Sequence, residues 1–119
     1  MEHARRSVDI GDYNWACFAA QQAAEKALKA LLIALRRRPP HIHDLTALYE
    51  DVKGELELSN EVAQHLSELS SHYIISRYPN AGVRRPSMGI SRAQAERAIS
   101  MAEGVVRAVA RRLGVTVEG

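Results

Sequence analysis

Apolar and polar positions follow a helical rhythm along almost the whole chain. From Gly11 to Leu35 the sequence reads GDYNWACFAAQQAAEKALKALLIAL, rich in alanine and leucine, without proline or internal glycine. At about 100° per residue, Asn14, Gln21, Gln22, Glu25, Lys26, Lys29 and Arg36 fall within an arc of about 140°, and most of the remaining circumference is apolar. Phe18, Leu32 and Ile33 intrude even on the polar arc. A surface helix buries one stripe, whereas this one requires neighbours on several sides, so it reads as the central helix of a bundle. Its many alanines let those neighbours come close.

Ahead of it, MEHARRSVDI can form two turns of helix at most, with Ala4 and Val8 at an i, i+4 spacing. Gly11-Asp12 offers a turn and a cap. The long helix, Asp12 to about Arg37, ends where Arg36-Arg37-Arg38 meets Pro39-Pro40. Cations suit the carbonyl end of a helix dipole, and prolines forbid continuation. The arginine run therefore reads as a solvated helix terminus, with a phosphate-contacting patch as the alternative.

Asp44 is placed to cap a short helix carrying Leu45, Leu48, Tyr49 and Val52 on one face, with Gly54 ending it. Ser59 or Asn60 caps the next, whose stripe is Val62, Leu66, Leu69 and Tyr73, and which must stop before Pro79. Residues 76–90, SRYPNAGVRRPSMGI, have the composition of a loop. Ser91 with Gln94 is a capping-box signature. Behind it Ala95, Ala98, Ile99, Ala102, Val105, Val106, Val109 and Leu113 mark a stripe that Gly114 closes. The fold class is all-α: four clear helices and a fragment of a fifth, in one domain over 1–119 with its core in 11–113 and a frayed tail from 114.

Composition supports this reading. Aromatics make up 5% of the 119 residues, and β-branched residues are thin until the last third, which favours helix over sheet. The formal charge of +2 is too small to imply nucleic-acid binding by itself. The single cysteine, Cys17, excludes an internal disulfide and a cysteine-rich metal site, and its apolar helical setting suits a small core residue better than a nucleophile. No segment has the signature of a signal peptide, and the apolar run Ala27 to Leu35 is too short to span a bilayer, so no membrane role is expected and the cytoplasm is the expected compartment.

Candidate chemistry is sparse. His65 and His72 lie seven apart on one helix face, about 10 Å along the axis, too far for shared ligation of one metal. His41 and His43 share a loop without a third ligand, so neither a metal nor another cofactor is expected. Tyr73, Arg77, Tyr78 and Asn80 place two phenols, a guanidinium and an amide around a helix end fixed by Pro79. An arginine fork suits phosphate and a tyrosine can stack a base; equally, Arg77 can bond helix-end carbonyls while the tyrosines fill the end of the bundle.

Three blocks in order, CFAAQQAAEKALKALLIAL, His43-Asp44-Leu45 and Arg77-Tyr78-Pro79-Asn80, resemble the small stand-alone HEPN-domain proteins of bacteria and archaea, over residues 11 to about 113. The glutamine pair followed by AEKALKALL is the most distinctive part. The resemblance implies an up-and-down bundle of four to five helices, like a nucleotidyltransferase substrate-binding subunit, that forms homodimers. It implies a partner or toxin module paired with a minimal nucleotidyltransferase, binding RNA, a nucleotide or that enzyme, with Tyr73, Arg77, Tyr78, Asn80, His43 and Asp44 as binding residues. Other family members are ribonucleases, which implies the alternative of metal-independent cleavage by Arg77 with His72 or His43; a non-catalytic assembly module is a further alternative.

Two departures stand out. Ribonuclease members carry a histidine four to six residues after the arginine, whereas here no histidine follows His72, which precedes Arg77 by five residues. Family members also open with a longer first helix, so this one is shortened or its true start lies upstream. Part of the apolar surface of the long helix is then expected to lose its usual cover, which a second subunit would restore.

Overall fold

The computed structural model describes residues 1–77 and 90–115. Its helices are α1 (Glu2–Asp9), α2 (Tyr13–Ala34), α3 (Leu45–Val52), α4 (Asn60–Gln64), α5 (Leu66–Arg77) and α6 (Arg92–Leu113), and no strand occurs among the described residues. The 22 residues of α2 span about 33 Å. Around it pack α1, α3, α5 and α6, with α6 its most extensive partner. The expected central helix is therefore central. Ala16, Ala20, Ala24, Leu28 and Leu31 of α2 are completely buried, as are Ala95, Ala102 and Val105 of α6. Small side chains let these two long helices pack closely.

Helix ends follow local chemistry. The Asp12 carboxylate accepts from the Trp15 N–H, Asp44 from Thr46 and Ala47, and Ser59 from Val62. Ser91 and Gln94 form the reciprocal capping box, and Gly114 closes α6 at φ 73°, a left-handed angle that glycine adopts without penalty. The C-terminus of α2 lies earlier than expected: α2 stops at Ala34, and Arg36 turns the chain at φ 60°. The Arg37 N–H then bonds Leu32 C=O, and its guanidinium donates to the Asp51 carbonyl at 2.6 Å. Arg37 thus ties the end of α2 to the end of α3.

Two expectations need correction. The single helix foreseen from Ser59 to Pro79 is two, α4 and α5, broken at His65, whose N–H is shared between the carbonyls of Glu61 and Val62. Its stripe survives the break, with Val62, Leu66 and Leu69 buried. The polar arc of α2 is also no solvent face throughout. Gln21 is 0% and Glu25 6% exposed, because the loop before α3 crosses them. The first helix, α1, does cover part of α2: Ala4, Ser7 and Val8 are buried, while Trp15 and Ile33 of α2 remain exposed.

Gly104 marks where α4 crosses α6. A Cβ there would lie 2.7 Å from Val62 Cγ2, and a β-branched side chain has little rotamer freedom with which to retreat. Alanine in mid-helix gains up to about 1 kcal/mol over glycine, but overpacking costs about 1–3 kcal/mol. Gly104→Ala is expected to lower the urea midpoint by the equivalent of about 1 kcal/mol. Adding Val62→Ala should restore part of that loss.

Candidate functional site

Glu25 sits in the middle of α2, nearly sealed from bulk water, so its charge needs partners. It has three. Gln21 Nε2 donates to Oε1 at 3.2 Å, Lys29 Nζ to Oε2 at 3.1 Å, and His43 Nδ1 lies 3.0 and 3.1 Å from the two oxygens. Burial pushes the carboxyl's pKa up, but these hydrogen bonds and the Lys29 charge outweigh it and hold the carboxyl below its ordinary value. An ionised carboxylate only accepts, so His43 Nδ1 is the donor and carries a proton.

The backbone of His43 is fixed as firmly as its ring. Gln21 Nε2 donates to the His43 carbonyl at 3.0 Å, and Ser70 Oγ reaches it at 3.4 Å while accepting from the Leu45 N–H. Across the ring lies Tyr73, stacked at 3.9 Å between centroids and 12° between planes. His43, Asp44, Thr46, Ser67, Ser70, Ser71 and Tyr73 line an open cleft of about 640 Å³ between the start of α3 and α5. The structure thus brings three of the expected binding residues, His43, Asp44 and Tyr73, to one place. Asp44 also serves there as the α3 cap. Arg77 is the last residue of α5, one turn beyond Tyr73; Tyr78 and Asn80 lie outside the described residues, as does nearly all of the loop 76–90.

His72 belongs to different surroundings. It is 6% exposed and not among the residues lining the cleft, and its Nδ1 has no hydrogen-bond partner among the described residues. Burial lowers its pKa, as does the Arg97 charge, while Glu68 acts the other way, so the ring is neutral near neutral pH. Glu68 and Arg97 form a two-bonded ion pair at 2.8 and 2.9 Å beside it. Cys17, fully buried, has its thiol pushed up to about 11 by burial and by Glu68. That is the behaviour of a core residue and not of a nucleophile.

Gln21, Glu25, Lys29 and Ser70 hold the site, and sequence reasoning placed none of them in it. Their only trace was the i, i+4 pair of Gln21 and Glu25 inside an otherwise alanine-rich run. A second groove, between α1 and α6, is lined by charges that answer one another: Arg5 with Glu103, and Arg92 with Glu96 at 2.9 Å. No cluster of three or more His, Cys, Asp or Glu able to hold a metal ion occurs among the described residues. None of the described helices is long and apolar enough to cross a membrane.

Comparison with known proteins bears on the fold and the family. No curated protein matches the chain. The crystal structure of TT1696 from Thermus thermophilus superposes with a TM-score of 0.82 at 35% sequence identity, over 93% of this chain and 87% of that one. Residues 1–113 match the HEPN domain. A match over nearly the whole chain, on an all-helical bundle with α2 at its centre, shows that the protein belongs to the HEPN family.

Proposed function

We propose that this chain is the HEPN partner of a minimal nucleotidyltransferase in a toxin–antitoxin pair, acting as a homodimer, and that its α3–α5 cleft is where it meets RNA. One observation carries the RNA reading. His43 is stacked on Tyr73 at the mouth of the cleft and held there by a buried carboxylate. A pinned, half-exposed ring pair offers a base a stacking surface, the serine hydroxyls suit ribose and phosphate, and Arg77 one turn on supplies a guanidinium.

The Glu25–His43 pair favours a second reading, metal-independent cleavage of RNA. With Nδ1 donating to Glu25, His43 Nε2 takes the proton of a ribose 2′-hydroxyl as that oxygen bonds the phosphorus, Arg77 stabilises the charge of the pentacoordinate phosphorus, and the P–O5′ bond breaks with water protonating the leaving 5′-oxygen. His43 suits this role better than His72, because it is exposed and lines the cleft.

One experiment separates the two readings. Labelled single-stranded RNA is incubated with the natural protein, Arg77→Ala and His43→Ala; binding is followed by gel shift and cleavage on a denaturing gel. The natural protein is expected to bind, and each substitution to weaken binding about tenfold or more, the scale of one charge-assisted or stacking contact. Failure of the natural protein to bind RNA overturns the first reading. Binding without cleavage, or cleavage that both variants retain, removes the second.

A further inference from the structure

A buried helix stripe calls for apolar residues, and α5 ends its stripe on a histidine. Leu66, Leu69 and His72 follow one another at a spacing of three. They are 2%, 1% and 6% exposed, and they are the buried residues among the α5 side chains that the structure describes. The next residue, Tyr73, lies on His43 at the cleft. His72 Nδ1 has no hydrogen-bond partner among the described residues. The charges that act on the ring are Glu68, one turn back on its own helix, and Arg97 from α6. From α2, the thiol of Cys17 feels the same two charges and stays protonated, hence neutral; α3 and α4, which also pack on α5, add no charge that acts on His72 among the described residues. Both oxygens of Glu68 already accept from Arg97, at 2.8 and 2.9 Å. A second proton on His72 would therefore place a cation in the core beside another cation, with the carboxylate that acts on it already taken.

We propose that α5 is an acid-released element: when His72 takes a proton, α5 leaves its seat on α2 and α6, and the His43–Tyr73 stack comes apart. A buried imidazolium needs an acceptor or water, and this ring reaches water only if its helix moves. Tyr73 is carried on the same backbone, one residue on, whereas His43 is held to α2 by Glu25. Movement of α5 thus separates the two rings. The sign of the pH dependence follows from burial, which favours the neutral ring in the folded chain, so the unfolded chain binds the proton first. Stability is complete above the ordinary histidine value, about 6.5, and falls as pH descends from there towards the lower folded value. That window lies above the one in which Glu25 acts, since the Glu25 contribution is complete above its ordinary value of 4.5. The release does not depend on what the cleft binds.

Urea midpoints are measured for the natural protein and His72→Phe between about pH 7.5 and about pH 5. Backbone hydrogen exchange is followed by mass spectrometry at both ends of that range, corrected for the intrinsic pH dependence of exchange. The unfolding constant of the natural protein is expected to rise by up to about tenfold per pH unit below about 6.5. His72→Phe, with no proton to take there, should give a flatter profile. Peptides from α5 of the natural protein should lose protection at the acid end while those from α2 and α6 keep it, and in His72→Phe all three should keep it. Parallel urea profiles for the two proteins overturn the proposal. Equal loss of protection in α5 and α2 does so too, because the whole bundle and not α5 would then be yielding. The His72 imidazole resonance of the natural protein gives a reading without any substitution. Titration at the ordinary histidine position while α5 stays protected overturns the release, and a shift that appears only as α5 becomes exposed supports it.

Discussion

Replacing Glu25 by alanine is expected to destabilise the fold by about 3 kcal/mol, at the low end of what breaking a buried charge pair costs. The loss does not come from one bond. Gln21, 0% exposed, would lose the acceptor for its amide, and Lys29 and His43 would face an uncompensated gap. The value stays at the low end because the side chains of Lys29 and His43 are 24% and 45% exposed and can turn to water. For a chain of this size the thermal midpoint should fall by about 10 °C, measured by circular dichroism. Glu25→Gln keeps the shape and one acceptor, so it should cost less.

Acid adds a signature to the same site. The folded-state pKa of Glu25 lies below its ordinary value, so its contribution is complete above that ordinary value and disappears as pH falls through the lower folded one. Urea midpoints taken from neutral pH into the acid range should therefore decline more steeply for the natural protein than for Glu25→Gln. Parallel curves would show that the carboxylate is not ionised and paired in the folded protein. Glu68, held down chiefly by its hydrogen bond from Arg97, acts in the same direction in both proteins and cancels from the comparison.

Leu28→Ala should cost about 4 kcal/mol, within the range that buried leucine truncations span. Leu28 is 0% exposed on α2, so truncating it leaves a void inside the core and not at the surface. The loss is a large share of the roughly 6–18 kcal/mol expected of a chain this long. Urea denaturation should show a lower midpoint with unchanged slope. Unlike Glu25→Gln, Leu28→Ala should leave the pH profile parallel to that of the natural protein, which separates loss of packing from loss of a charge network.

Much of the helical layout was legible because it depends on residues within a turn of one another. Asp12, Asp44, Ser59, Ser91 and Gly114 act on backbone groups two to four positions away, and a proline or a cap has that effect whatever packs nearby. The break at His65 was not legible, since its stripe of Val62, Leu66 and Leu69 continues through it unaltered. Periodicity reports which face is apolar and does not report whether the backbone bends behind that face.

The site was legible only in part. His43, Asp44 and Tyr73 carried recognisable chemistry, yet so did His41, His65, His72 and Tyr49. What separated them was burial and company: His72 lies near Glu68 and Arg97, and His43 lies on Tyr73. Gln21 and Glu25 were hidden for the opposite reason. They belong to the polar arc of a long helix, and such an arc ordinarily faces water.

By itself the sequence determined an all-helical chain, the capping of its helices, the central place of α2 and, through the QQAAEKALKALL run, the HEPN family. Only the tertiary structure decided that the loop before α3 crosses α2 at Gln21 and Glu25, burying a charge and fixing His43 against Tyr73. The physical reason is range. Caps and stripes are settled over a few residues, whereas a buried carboxylate is stable only when a partner 18 positions away in sequence is brought within hydrogen-bond reach by the packing of the whole bundle.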